Sequence, residues 1–152
     1  MTRHIFQTCP TAGEPDAVRL AFLEDPGTWL PHPARPIDNG RWEVLLEAGP
    51  VSRRVAMSVG PPWDLGEMTW RILSWQPDEE TALTRLLPAF SGEIGFRAEP
   101  PGTLVVEGHY APPGGGFGAA ADAIALGHVA HTTVHCLIVA VARRLQRVVA
   151  VP

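Results

Sequence analysis

The sequence predicts an α+β domain in which a curved antiparallel β-sheet of six to seven strands wraps around one long C-terminal helix. Three observations carry that expectation. Between residues 41 and 111 apolar and polar side chains alternate in successive stretches, the period of half-buried strands. The breaks between those stretches are short turns, too short for the crossovers that parallel pairing needs. Residues 123–142 then carry no formal charge, bounded by Asp122 before them and Arg143 and Arg144 after. Strands followed by a segregated helix define the α+β class.

Taken in order, residues 3–8 read as a short strand. Pro15 and Asp16 open an amphipathic turn of helix, with Val18, Phe22 and Leu23 at helical spacing. Pro26, Gly27, Pro31, Pro33 and Pro36 make the next segment irregular, a short helix or loop that holds Trp29 and Leu30. Trp42, Val44 and Leu46 alternate with Glu43 and Glu47. After a turn at Gly49-Pro50, Val55, Met57 and Val59 alternate with Arg54, Ala56 and Ser58, the second arm of a hairpin. Residues 67–76 form another strand with Trp70 and Trp75. A turn at Pro77-Asp78-Glu79-Glu80 leads into a long strand over 82–98, bent near Pro88 and Ser91-Gly92, and the last strand runs from Thr103 to Ala111. Pro112 to Gly116 separates the sheet from a helix expected over about 120–147.

The 152 residues suit one domain, 1–152, with a real core. Twelve basic residues face sixteen acidic ones, and the only basic cluster, Arg143, Arg144 and Arg147, closes a helix, where cations favour the macrodipole. Nucleic acid is therefore not an expected partner. Every basic residue is arginine. Schiff-base catalysis and the Walker A loop both need a lysine, so aldolase, pyridoxal-phosphate and P-loop chemistry are excluded. Cys9 and Cys136 lie at opposite ends of the chain and suit buried thiols in a reducing compartment; the expected location is cytoplasmic. His128, His131, His135, two threonines and Gly127 interrupt the uncharged run, which reads as a helix buried by the sheet and not as a membrane span.

The stretch Leu104-Val105-Val106-Glu107-Gly108-His109-Tyr110-Ala111-Pro112-Pro113, then glycines, Asp122 and a helix holding Val129-Ala130 and Thr133-Val134, resembles the START-like, or SRPBCC, superfamily. These helix-grip proteins include polyketide cyclases and lipid-transfer proteins, and the likeness is to the bacterial branch. The element order matches over the whole chain, its sharp part over residues 104–134. The resemblance implies the helix-grip fold and an internal apolar cavity. It carries over no catalytic residue, because no catalytic motif is shared across that superfamily.

Alternation places Leu104, Val106, Gly108 and Tyr110 on one face of the last strand and Val105, Glu107 and His109 on the other. By the same logic Trp42, Met57, Trp75 and Phe96 face inward, and Trp29 sits where a short helix would close a cavity mouth. On the helix Leu126, Ala130, Thr133, Leu137 and Val141 form the stripe assigned to the cavity. The expected ligand-binding set is Trp29, Trp42, Met57, Trp75, Phe96, Tyr110, Thr133 and Leu137, since aromatic rings with a few polar tips suit an apolar pocket.

Opposite that stripe stand His128, His131 and His135 with Ile124, Ile138 and Ala142. His131 and His135 have chelating spacing, but His128 is about 10 Å from His135 along the axis, and Thr132 replaces the glutamate of a zincin helix. No metal and no cofactor is expected. An uncharged face of this kind suits a homodimer contact through Ile124, His128, His131, His135 and Ile138, or a cover from the same chain. Asp122 reads as a helix-start residue. Ser52, Ser58, Ser74 and Ser91 offer no nucleophile motif. The expected function is binding of a small hydrophobic or aromatic ligand between sheet and helix. The alternatives are a cyclase, dehydratase or aromatase-like enzyme on a polyketide-like or aromatic substrate, and an interaction module working through the outer helix face.

Overall fold

A computed structural model describes residues 3–48, 51–77, 89–111 and 120–150. The chain runs β1 (Arg3–Pro10), α1 (Pro15–Leu23), a 3-10 turn (Pro26–Thr28), β2 (Ala34–Asp38), β3 (Arg41–Ala48), β4 (Val51–Val59), β5 (Trp63–Leu65), β6 (Met68–Pro77), β7 (Ala89–Arg97), β8 (Thr103–Ala111) and α2 (Ala120–Ala150). All pairings are antiparallel, in the order β1-β8-β7-β6-β4-β3-β2, with β5 paired to β6 off that path. The turns expected at 49–50 and 78–80, the bend at Pro88 and the hinge at 112–116 lie outside the described residues.

Two strands arise where the sequence reads as irregular. β2 holds Pro36 inside it, and this is tolerated because β2 is an edge strand with only β3 beside it. Its register shifts between Pro36 and Asp38, where Asp38 turns to pair with Arg41 at 3.0 Å. β5 is three residues long and survives as an add-on to β6, where Trp63 stands opposite Trp70.

The helix explains the sheet's shape. α2 packs chiefly against β3, β1 and β8 and against α1. β1 and β3 stand at opposite sides of the β8-β7-β6-β4 block, so the sheet has to curl until both reach the same helix. At the centre of the curl Gly92 of β7 faces Gly108 of β8 in register. A Cβ on Gly108 would lie 2.5 Å from the Ser91 carbonyl oxygen and 2.7 Å from the Gly92 Cα, and one on Gly92 would collide with the Glu107 carbonyl. The tip of the Phe90 ring fills the space over both glycines.

α1 begins with Pro15 at its first position and the Glu14 carboxylate accepting from the Asp16 and Ala17 amides at 3.1 and 2.9 Å. It buries Val18, Ala21 and Phe22. On its outer side Arg19 donates to Asp64 at 3.3 Å and to the Thr69 hydroxyl at 3.2 Å, and that hydroxyl donates to Asp64 at 2.8 Å, fastening α1 to β5 and β6.

Two outcomes follow. Gly108→Ala should lower stability by about 1–3 kcal/mol, toward the upper end because the colliding atoms are backbone, seen as a lower urea midpoint at unchanged slope. The second concerns acid. The Thr69 hydroxyl first, against some desolvation, and then Arg19 hold the Asp64 carboxyl below its ordinary range. A depressed folded-state pKa gives a contribution that is complete above the unfolded value and lost as pH falls through the folded one. Stability should therefore drop less on going from about pH 6 to about pH 3 in Asp64→Asn than in the parent chain. Equal acid sensitivity in paired denaturation curves would remove this fastening from the account.

Candidate functional site

One row of large side chains crosses five strands on the face turned toward α2. Trp42 pairs in register with Met57, Met57 with Trp75, Trp75 with Phe90 and Phe90 with Tyr110. All five are buried. The Trp75 and Phe90 rings stack with centroids 4.5 Å apart and planes 17° apart. The helix is small where it meets the Tyr110 end of this row, at Gly127, and it buries Ala130 and Thr133 one and two turns further on. A Cβ on Gly127 would come within 3.2 Å of the Tyr110 hydroxyl oxygen, so helix and phenol approach through the missing side chain. Among the described residues that hydroxyl has no hydrogen-bond partner.

A second cluster occupies the α1 end of the interior. Phe22 lies between Trp29, at 5.1 Å, and Phe96, at 6.4 Å. Arg71, only 6% exposed, sits over the Trp29 ring at 5.7 Å. Its Nε donates to the Gly60 carbonyl at 2.9 Å and one terminal nitrogen to the carbonyls of Phe22 and Glu24 at 3.0 and 3.1 Å. The guanidinium thus takes up carbonyls left open at the C-terminal end of α1. Burial pulls its pKa down, with Asp25 acting the other way.

Comparison with solved structures decides the architecture. Over 98% of its length the chain superposes on 94% of the Zhui aromatase/cyclase of Streptomyces sp. R1128, with a TM-score of 0.58 and 14% identity. It also superposes, over 98% of its length, on 94% of a norcoclaurine synthase point mutant of Thalictrum flavum solved with a transition-state analogue, with a TM-score of 0.55 and 11% identity. The fold is the helix grip, a curved antiparallel sheet closed over a long C-terminal helix. No protein-family model and no curated protein sequence matches the chain.

Within this helix grip the residues expected to line one cavity divide into groups. Trp42, Met57, Trp75 and Tyr110 share the row. Phe96 is six residues from Phe90 on β7, about 20 Å along the strand, and belongs with Phe22 and Trp29. Trp29 was expected at a mouth and is instead fully buried, because Arg71 and Phe22 enclose it; its indole N–H has no acceptor among the described residues. Thr133 spends its hydroxyl on the Val129 carbonyl one turn back, at 2.7 Å, and so offers a methyl to the interior. Leu137 is buried on the flank facing β3, where it borders a groove with Leu46.

The histidine face needs one correction. His128, His131 and His135 are exposed, but Ile138 is 0% exposed and Ala142 is also buried. α2 is held by β1, β3, β8 and α1 together, so the buried arc is broader than one stripe and takes in Ile138. Ile138 is thus unavailable to the homodimer contact drawn through it, and the side chain of Ile124 lies outside the described residues. No group of three or more metal-binding side chains occurs among the described residues. No helix among them is long and apolar enough to cross a membrane. Asp122 falls in the first turn of α2.

Sequence reasoning missed Phe90 and Arg71. Both were legible by parity: Phe90 shares its face with Phe96, and Arg71 with Leu73 and Trp75. It also missed a depression of about 620 Å³ on the sheet face turned away from α2. There Arg41, Ser58, Ser74, Ser91 and His109 form one cross-strand row. The outermost partner is His4, which pairs with Glu107 at 3.1 Å.

The two interior groups should respond differently to truncation. Phe96→Ala should cost about 3–5 kcal/mol, as for a ring enclosed on all sides. Trp42→Ala should cost less despite the larger ring, since Trp42 retains 8% exposure where Phe96 has 0%. Equal losses in denaturant titrations would mean that both ends are packed alike.

Proposed function

We propose that this chain binds a small apolar or aromatic molecule against the row Trp42–Met57–Trp75–Phe90–Tyr110, between the inner sheet face and the N-terminal half of α2. The observation that carries this reading is the unbroken row of five large inward side chains, at whose Tyr110 end α2 presents Gly127. Flat rings supply contact area for an apolar guest. Tyr110 supplies the polar tip, a hydroxyl without a protein partner among the described residues. The likeness in fold to an aromatase/cyclase and to a norcoclaurine synthase supports a small-molecule role on this scaffold, and the site itself has to carry the argument.

A cyclase-like reaction on the bound molecule is the second reading. The same hydroxyl favours it, because a phenol in an apolar seat can orient or donate a proton to a substrate oxygen. Turnover that is lost in Tyr110→Phe while binding persists would select the enzyme; binding with no turnover of aromatic polyketide-like substrates would select the carrier.

Gly127→Leu tests the seat directly. It drives a side chain against the Tyr110 hydroxyl, which a Cβ alone would approach to 3.2 Å. It also improves helix propensity, so an unchanged far-UV circular dichroism spectrum separates loss of the seat from loss of the helix. Titration with 1-anilinonaphthalene-8-sulfonate, followed by its fluorescence and by tryptophan quenching, should show at least about tenfold weaker binding in the variant. Unchanged affinity would remove the inner row as the seat.

A further inference from the structure

A second feature lies outside the helix grip's interior. Between the C-terminal half of α2 and β3 runs a groove of about 260 Å³. Its floor is apolar, built from Pro31, Leu46, Leu137 and Ala140, and its rim carries Arg143, Arg144 and Arg147. The three guanidiniums bring three positive charges against one carboxylate in the lining, Glu47. Among the described residues none of the three has an ion-pair or hydrogen-bond partner. Arg144 is half-buried, and its Nε is cut off from solvent with no acceptor among the described residues. A buried N–H of a charged group is costly unless an acceptor meets it.

Arginines near a helix C-terminus are favoured by the macrodipole alone. That explains their presence but not the groove that all three line beside β3. We infer that this groove is a binding site for an amphiphilic oxyanion: a carboxylate or phosphate seated on Arg144 and Arg147, with a short apolar body over Leu46, Leu137 and Ala140. The planar fork of arginine matches both oxyanions. A volume just below that of drug-sized pockets fits a short chain or a single ring. The site does not depend on the inner aromatic row.

Cys136 lines this groove and Cys9 does not, which gives a site-resolved readout. Octanoate should slow alkylation of Cys136 by iodoacetamide, followed by mass spectrometry, far more than that of Cys9, which feels Arg143 but does not line the groove. Octanol, which lacks the charge, and inorganic phosphate, which lacks the chain, should each protect far less at the same concentration. Arg144→Gln, and independently the exposed Arg147→Gln, should weaken octanoate binding by about tenfold or more. Equal protection by phosphate or by octanol would overturn the amphiphile assignment, and unchanged affinity in both arginine variants would overturn the site. Octanoate binding that leaves Cys136 unprotected but is lost in Gly127→Leu would place the ligand on the inner row. That outcome sinks the groove and sustains the inner seat.

Discussion

The requirement that β1 and β3 both reach α2 sets the shape of everything else. Four strands lie between them in the sheet, so a flat sheet could not touch the helix at both places. Curling brings the flanks in and leaves β7, β6 and β4 standing further from the helix. Only long side chains can span that distance, and it is there that Trp75, Phe90 and Phe96 are found, with Phe22 and Trp29 packed in from the α1 side. The Gly92–Gly108 pair belongs to the same requirement. With no Cβ on either strand the two backbones approach closely, and the Phe90 ring takes the place that two side chains would have held.

The interior so created differs from end to end. At the α1 end Arg71 carries a charge into the core, which by itself is unfavourable. Three carbonyls and the Trp29 ring offset the loss of water, and in return α1, β6 and the chain after β4 are tied to one residue. That end is fixed by directed bonds. The other end is held by ring stacking and apolar contact across five strands, which are less directional, and its helical partner offers only small side chains. A guest is easier to admit where contact is apolar than where the Arg71 guanidinium already binds three carbonyls.

How much of this could be read from residues alone varies by element. The alternation in β8 separates Leu104, Val106 and Tyr110 from Val105, Glu107 and His109, and burial follows that division because a strand's period of two leaves little freedom. β2 was hidden because Pro33 and Pro36 read as breakers, and only its place at the sheet edge makes them tolerable. Arg71 was hidden because a charged residue reads as exposed whatever its parity. Ile138 was misassigned because a helical wheel gives angles but not the width of the arc that neighbours cover. The eight residues proposed as one lining share an orientation toward the interior, yet parity says nothing about position along the strand, and Phe96 lies at the far end from Tyr110.

The sequence by itself determined the class of the fold, the order of its two helices and long strands and the inward face of each long strand, since these rest on local periodicity and short connections. The tertiary structure alone decided which inward residues meet. Trp42 and Tyr110 are 68 residues apart in the chain, and they share one row only because five strands align in a particular register. It alone decided, too, that Arg143, Arg144 and Arg147 face an apolar groove beside β3, because the floor of that groove comes from a strand nearly a hundred residues earlier in the chain. Local pattern fixes direction within an element; proximity between elements follows from how the sheet closes on its helix.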